Sequence, residues 1–378
     1  MEKMIAPYGA WRSPVSADLL VTAGVSLGYL HVAKDAVYWV EGRPLEKGRY
    51  VIVKRTPDGK ISDVTPADYN ARTLVHEYGG GAYIVHDDIV YFANFTDQRL
   101  YRQTPTSAPQ PITPEPSTPR SLRYADLRIT PDGRWLVCVR ESHQTDGRVV
   151  NELVALPTDG AGEPHVLTTG YDFYGAPRIS PDGRQLAWLC WQNPQMPWDG
   201  TELWVAPLET EAKLGPARHV AGSVTESLFQ PEWRADGVLH FISDRTDWWN
   251  LYREVDGKIE AVAPYAAEFG EAYWVFDLCR YVFLADQSIV CIYSEDGIER
   301  LGRITPHSQQ IEPIACEYTA LHWVRTDGNI LWLIGGSPTS GSTIFSLDPT
   351  KQTLTLVKQG MKVDVDPAFF SIPQPIEF

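Results

Sequence analysis

The sequence predicts an all-β protein, a seven-bladed β-propeller built from four-stranded antiparallel blades. Three observations support this fold class. A cassette of an apolar, aromatic-rich strand, a tight acidic or glycine-containing turn and a second such strand returns seven times, about every 49 residues. Four strands can be placed in each cassette, and no stretch keeps a helical spacing of apolar residues over three turns. The 13 tryptophans and 18 tyrosines supply broad rings that suit packed sheet faces.

The first element of each cassette is a strand pair joined by a tight turn. The clearest copies turn at Pro131-Asp132-Gly133 and Pro181-Asp182-Gly183, where glycine allows the positive φ that such hairpins need. The weaker copies are expected to turn at Lys34-Asp35, Asp87-Asp88, Ala235-Asp236-Gly237, Asp277-Leu278 and Thr326-Asp327-Gly328. A fixed repeat of this length is typical of a propeller.

Four strands per repeat follow from the apolar runs between these turns. We expect them near 27–33, 36–40, 50–55 and 61–64 in the first repeat, 175–179, 185–191, 202–207 and 218–221 in the fourth, and 320–325, 330–334, 343–347 and 353–357 in the seventh. The first and last repeats each hold four strands of their own. The ring should therefore close without a strand borrowed from the other end of the chain, with the seam held by side-chain packing alone.

The repeats define the domain organisation. Residues 1–20 form an N-terminal segment, 21–360 the propeller, and 361–378 an extended, proline-rich connector that leaves the ring.

Composition limits the partners and the location. The net charge of −15 argues against a nucleic-acid partner, because phosphates would be repelled, but permits attraction to cationic peptides. The N-terminus has no apolar core segment and no run reaches about 18 apolar residues, so neither a secretion signal nor a membrane partner is expected. Cys138, Cys190 and Cys291 lie in apolar strand runs, which favours reduced core cysteines and a cytoplasmic protein.

Function is expected on one face of the ring. Turns between first and second and between third and fourth strands lie on one side, here the turn face, and are short with little chemistry. The other side, the loop face, carries the connections between second and third strands and between blades, which are rich in Trp, Arg, Asp and Asn. The candidate residues for a substrate cavity or domain interface are Glu77, Tyr78, Arg99, Trp198, Asp199, Arg245 and Trp248. The alternative is structural: tryptophans that cap blades and Asp/Arg pairs that tie neighbouring loops.

The Gly79-Gly80-Gly81 run does not predict a phosphate loop. It lacks the Lys-Ser/Thr and the helix that such a loop needs, and a strand is expected to follow. Close approach of backbone segments at the narrow centre of the ring explains the glycines better. Glu77 beside them is either a contact for a substrate amine or a structural hydrogen-bonding group.

Several catalytic patterns occur only in part. Gly24-Val25-Ser26-Leu27-Gly28 matches G-x-S-x-G, but a strand is expected to follow Ser26 instead of the helix of a nucleophile elbow. The nine histidines show no metal-binding spacing and no calcium loop is present, so no metal, cofactor or catalytic residue is expected. An enzyme with its site in the propeller channel would need acids or histidines converging at the axis, which the sequence does not display.

Four longer motifs carry a family resemblance. They are Ala10-Trp11-Arg12-Ser13-Pro14, residues 76–81, the stretch 178–188 with 196–204, and residues 243–252. Together they resemble the N-terminal propeller of serine peptidases of the prolyl oligopeptidase (S9) family, with the acylaminoacyl-peptidase or dipeptidyl-aminopeptidase-like members nearest. The resemblance covers nearly the whole chain.

The resemblance implies a partner for the chain. In that family a C-terminal α/β-hydrolase domain supplies Ser, Asp and His, and the propeller covers the active site and admits only short peptides. The sequence stops where such a domain would begin, so the chain alone is expected to be inactive. The adjacent Glu residues with which dipeptidyl peptidases hold the substrate amine are missing here. A free-standing propeller that binds a protein or a small ligand is the alternative.

Overall fold

The computed structural model describes residues 5–22, 24–361, 365–374 and 376. It contains seven four-stranded antiparallel sheets, and in each sheet the strands are paired in the order in which they follow along the chain. The first strands of successive blades contact one another, and β1 (Ser26–Ala33) contacts β25 (Ala320–Thr326), which closes the ring. The predicted seven-bladed propeller is confirmed. Of the two predicted terminal segments, residues 1–4, 362–364, 375 and 377–378 lie outside the described residues.

The strand bounds follow the repeat. Blade 1 consists of β1 (Ser26–Ala33), β2 (Ala36–Arg43), β3 (Arg49–Arg55) and β4 (Ile61–Asp63); blade 2 of β5 (Tyr83–His86), β6 (Ile89–Ala93), β7 (Leu100–Gln103) and β8 (Gln110–Pro111); blade 3 of β9 (Leu122–Ile129), β10 (Trp135–His143), β11 (Val149–Pro157) and β12 (His165–Thr168); blade 4 of β13 (Phe173–Ile179), β14 (Gln185–Trp191), β15 (Glu202–Pro207) and β16 (Arg218–Gly222).

The last three blades have the same plan. Blade 5 consists of β17 (Leu228–Trp233), β18 (Leu239–Ser243), β19 (Asn250–Val255) and β20 (Lys258–Ala261); blade 6 of β21 (Tyr281–Phe283), β22 (Ile289–Glu295), β23 (Ile298–Ile304) and β24 (Glu312–Ile314); blade 7 of β25 (Ala320–Thr326), β26 (Leu331–Ser337), β27 (Ser340–Asp348) and β28 (Thr353–Gln359). The described helices are α1 (Ala17–Thr22) and two single 3-10 turns, Pro44–Glu46 and Pro367–Phe369.

The core lies between neighbouring blades. The second strand of a blade is the most buried: from Leu186 to Trp191, every residue of β14 is buried. A strand covered on both faces needs a continuous apolar run, and that is what the sequence has there. The fourth strands lie at the rim, and all three residues of β4 are exposed.

The Pro-Asp-Gly turns form as predicted. Gly133 and Gly183 adopt φ of +72° and +73°. In the first turn the Asp132 carboxylate accepts hydrogen bonds from the Thr130 hydroxyl at 2.6 Å and the Arg134 N–H at 3.1 Å. Asp182 accepts the equivalent bonds in blade 4. Each acid therefore rigidifies its turn from within, which is the Asx-turn role of the residue type.

One predicted turn is wrong. Asp277-Leu278 does not join two strands, since the first turn of blade 6 lies nine residues later, between Phe283 and Ile289. Asp277 instead lies in the connection before β21, 2% exposed and with φ of +65°. The pattern of an acid between apolar residues resembles a turn, but buried arginine partners stabilise this carboxylate inside the ring.

The seam between blades 1 and 7 also needs a correction. The expectation that neither blade borrows a strand is confirmed. Side-chain packing does not hold the seam alone, however, because the Val25 N–H donates to the Gly360 carbonyl at 2.8 Å and Gly24 forms an antiparallel bridge with Met361. The two ends of the ring are therefore linked through backbone on the loop face.

Candidate functional site

An aromatic cluster lies on the loop face and joins three different connections. The Tyr78 ring meets the Trp274 ring edge to face at 5.3 Å, and the Trp274 ring lies 4.3 Å from that of Trp198. Tyr78 is 60% exposed and Trp274 47% exposed. The structure thus brings together two of the predicted residues through Trp274, which the sequence analysis did not single out.

The loop that carries Tyr78 is held in an uncommon backbone conformation. His76 and Glu77 have φ of 53° and 66°, and the three glycines that follow Tyr78 also have positive φ. Non-glycine residues in this region are strained, and such strain concentrates at functional sites. The Glu77 carboxylate accepts a 2.8 Å hydrogen bond from Arg123, and Arg123 also pairs with Glu141. The Glu77 side chain is nevertheless 73% exposed.

The glycine run approaches another connection closely, as predicted. The Phe276 N–H donates to the Gly79 carbonyl at 3.0 Å, and a Cβ on Gly80 would lie 2.5 Å from the Phe276 nitrogen. The His76 ring packs 4.9 Å from the Phe276 ring and 5.0 Å from that of Phe173. Burial lowers the pKa of His76 to about 3, so this imidazole is neutral at physiological pH.

The other predicted residues have mainly structural contacts. Arg99 donates its Nε to the Thr113 carbonyl at 3.0 Å. The Asp199 carboxylate accepts from the Met196 N–H at 3.0 Å within its own loop.

Arg245 and Trp248 share the long loop of blade 5. Arg245 pairs with Glu226 at 2.7 Å and stacks on Tyr252 at 5.0 Å. Trp248 lies farther along the loop and is 42% exposed. For Arg99 and Arg245 the structure therefore favours the alternative that these side chains tie loops together.

A second cluster, the axial cluster, lies at the centre of the ring. Asp277 Oδ1 lies 3.0 Å from both Arg128 and Arg325, and its Oδ2 lies 3.2 Å from His31 Nε2. Next to it, Asp126 lies 3.3 Å from Arg128. The expectation that no acids or histidines converge at the axis is therefore wrong.

A third acid completes the axial cluster. Glu232 pairs with Arg178 at 2.5 Å, and Arg178 also lies 3.6 Å from Asp126. The three acids are thus balanced by three arginines. Carboxylates that are already paired with arginines bind a cation poorly. Among the described residues, no group of three His, Cys, Asp or Glu is placed to hold a metal ion.

A repeated backbone feature positions these side chains. The first strand of each blade, or the segment just before it, contains a residue with positive φ at a corresponding position: Tyr29, Gly81, Asp126, Ala176, Gln230, Asp277 and Trp323. In five of the seven blades the residue two positions later lines an axial cavity of about 290 Å³: His31, Arg128, Glu232, Cys279 and Arg325. In β1, β9, β17 and β25 the positive φ coincides with a β-bulge in the pairing with the second strand, and a bulge of this kind redirects the side chains beside it.

The charges of the axial cluster stabilise one another. Burial would raise the pKa of Asp277, but Arg325, His31 and Arg128 outweigh it and hold that pKa well below the usual range. Burial lowers the pKa of His31, although Asp277 opposes the shift. The cluster is therefore a set of buried ion pairs around a neutral imidazole at physiological pH.

Ser26 opens β1, as expected from the strand that follows it. In the sheet, Ser26 pairs with Gly42 of β2.

No helix among the described residues is long and apolar enough to cross a membrane.

Comparisons with known proteins connect this architecture to peptidases. A scan of protein-family models and a search of curated proteins gave no match. Among solved structures, a puromycin-hydrolyzing peptidase of Mycobacterium tuberculosis is 33% identical with a TM-score of 0.92, and a puromycin hydrolase is 31% identical with a TM-score of 0.91. Both alignments cover 98% of this chain and 59% of the other chain.

More distant structures share the fold. Prolyl oligopeptidase B of Galerina marginata is 12% identical with a TM-score of 0.68, over 93% of this chain and 54% of that enzyme. The chain thus spans little more than half the length of the proteins it matches. These matches show a β-propeller domain that is similar to the propeller part of these peptidases, in agreement with the motifs that resemble the prolyl oligopeptidase (S9) family.

Proposed function

We propose that the chain is the substrate-gating propeller of a serine peptidase, acylaminoacyl-peptidase or dipeptidyl-aminopeptidase-like, whose α/β-hydrolase domain belongs to the same protein. One observation carries the proposal: the chain is 33% identical over 98% of its length to a puromycin-hydrolyzing peptidase, of which it covers only 59%. We place the hydrolase in the unmatched part. The substrates would be short peptides, and a cytoplasmic location remains a prediction of the sequence.

The distribution of exposed apolar side chains supports the loop face as the docking surface. Among the described connections between strands, every exposed large apolar residue lies on that face: Leu45, Tyr78, Met196, Val224, Trp248, Tyr265 and Trp274. The described turns of the turn face have none. Grouped exposed apolar residues mark interaction surfaces, so one side of the ring is suited to a partner domain.

The path of the chain supports the same surface. The last strand, β28, runs toward the loop face, and the bridge between Gly24 and Met361 fixes the exit of the chain there. Residues that follow the ring thus start on the side that carries the apolar side chains. A domain attached at this point could cover the loop face without a long linker.

The chemistry of the face suits a roof over a peptide site. The rings of Tyr78, Trp198 and Trp274 offer flat apolar contacts, and the exposed Glu77 carboxylate offers a partner for a cationic amine. A closed cavity would exclude water and position the peptide for attack by the hydrolase serine. In this proposal the propeller binds and orients, and the hydrolase supplies the nucleophile.

The test compares the chain alone with the chain extended by the residues that follow it in its own protein. Acyl-peptides, aminoacyl-nitroanilides and a fluorophosphonate probe are the reagents. We expect hydrolysis and probe labelling only for the extended protein. Labelling of Ser26, or a reading frame that stops after Phe378, would contradict the proposal, and the latter would favour the free-standing binding propeller.

A further inference from the structure

We infer that the axis of this propeller is permanently sealed, so that peptides reach the proposed hydrolase from the side, between the two domains, and not through the ring. The seal itself is a property of this chain. Its consequence for substrate entry rests on the proposed function.

The first layer of the seal is formed by two crossing connections. The segment that leads into blade 2 and the segment that leads into blade 6 meet through the Phe276 N–H, which donates to the Gly79 carbonyl at 3.0 Å, and through a parallel bridge between Gly80 and Phe276. Blades 2 and 6 are not neighbours in a ring of seven. A backbone contact between their leading segments therefore passes across the centre of the loop face.

The second layer consists of aromatic rings directly beside this crossing. Phe276 and Tyr273 are 3% and 8% exposed, and both belong to the largest apolar core cluster. The Tyr273 hydroxyl donates to Asp126 at 3.1 Å, and the His76 ring packs against Phe276 and Phe173. Buried rings from the connections and from blade 4 thus pack against one another at the centre.

The axial cluster forms the third layer. Asp277 links Arg128 of blade 3 with Arg325 of blade 7 and His31 of blade 1, so its ion pairs also span the axis. Arg325 further donates to the Leu30 carbonyl at 2.8 Å. Since these guanidinium groups bond to backbone and to buried carboxylates, a passing peptide would have to separate paired charges.

The axial cavity ends at the axial cluster. Besides the axial cluster, Ile84, Phe283 and Thr326 line it, and Phe283 and Thr326 are the last residues of their strands, at the turn-face end. A solute can therefore enter from the turn face as far as Asp277, where the ion pairs and the aromatic layer begin. The ion pairs and the aromatic layer thus separate the cavity from the loop face, where the proposed active site lies.

The seal is tested on this chain alone by hydrogen exchange. The reporters are the amides of Phe276 and Asp126, which bond to Gly79 and Gly81, and that of Ala176, which bonds to the Asp126 carboxylate. We expect exchange within about tenfold of the amide of Leu189 in the buried strand β14. Exchange about a thousandfold faster would show that the axis opens and would overturn the inference.

The route is tested in the extended protein by obstructing the axis. Ile84→Cys, made with Cys316→Ser to remove the half-buried thiol, places a bulky maleimide adduct in the axial cavity. We expect kcat/KM for a short peptide to change less than about twofold with the adduct. The same adduct on Trp248→Cys, at the loop face, should lower kcat/KM more strongly for longer peptides.

The two experiments separate the possible failures. A loss of more than about tenfold from the Ile84→Cys adduct, growing with adduct size, would overturn lateral entry. An extended protein without any peptidase activity would contradict the proposed function instead. The exchange experiment would then still decide whether the axis is sealed.

Discussion

Asp277 is a side chain on which three blades converge. It lies before blade 6 and pairs with residues of blades 1, 3 and 7. The sequence could not show this role, because its partners are separated by 48 to 246 positions and only the closed ring brings them together. The local pattern around Asp277 instead suggested a turn. Tyr78 and Trp198, by contrast, were identifiable from the composition of their loops.

Replacing Asp277 should destabilise the whole ring. In Asp277→Asn, Arg128 and Arg325 keep their positive charges but lose the buried carboxylate between them, and breaking such a pair costs about 3–5 kcal/mol. Urea denaturation measures the free energy of unfolding. The control is Asp199→Asn, an exposed acid whose replacement should change that free energy by less than about 0.5 kcal/mol. Equal effects of the two changes would contradict the role of the axial cluster.

Lowering the pH should reduce the free energy of unfolding before the carboxylates become protonated. Burial lowers the pKa of three histidines. The pKa of His31 lies below its usual value, that of His76 is about 3, and that of His240 is about 4. In the unfolded chain these imidazoles bind protons near pH 6.5, so the free energy of unfolding should fall steadily from pH 6.5 to pH 4.5. Urea denaturation at several pH values measures the slope, and His76→Phe should make the slope shallower, because it removes one of the groups that bind a proton on unfolding. A free energy independent of pH in this window would contradict the prediction.

At the scale of the elements, the repeat was the most informative part of the sequence. The predicted strands of blades 1, 4 and 7 agree with the structure to within a few residues, because period-2 patterns and Asp-Gly turns are local properties. The first strand of blade 6 was misplaced because it is only three residues long, Tyr281–Phe283. The backbone link at the seam was missed because it involves Val25 and Gly360, at opposite ends of the propeller.

The seam should be sensitive to a single methyl group. A Cβ on Gly360 would lie 2.7 Å from the Val25 carbonyl oxygen, so Gly360→Ala should push blades 1 and 7 apart and lower the thermal midpoint. The control is Gly341→Ala, where the nearest atom would lie at 3.5 Å, an ordinary contact. Hydrogen exchange should accelerate in β1 and β28 of the first variant only. Uniform exchange in all blades of that variant would show that the seam does not depend on this contact.

At the scale of the whole molecule, the two faces of the ring are different surfaces. The described connections of the turn face carry no exposed large apolar side chain, whereas the loop face carries the exposed aromatic and aliphatic side chains and the chain exit. The sequence predicted which connections fall on which face, since this follows from strand order alone. It also predicted a close backbone approach at Gly79-Gly80-Gly81, but not that the partner is the connection carrying Phe276, because Gly79 and Phe276 are neighbours only in the closed ring.

The account therefore depends most on the loop face being covered in the intact protein. Hydrogen exchange of the chain alone, compared with the chain carrying the residues that follow it, tests this directly. We predict that the loops containing Tyr78, Trp248 and Trp274 become protected in the longer protein, while the turns at Asp132 and Asp182 exchange as before. Protection confined to the turn face, or no protection on either face, would contradict the claim that the propeller covers a partner domain with its loop face.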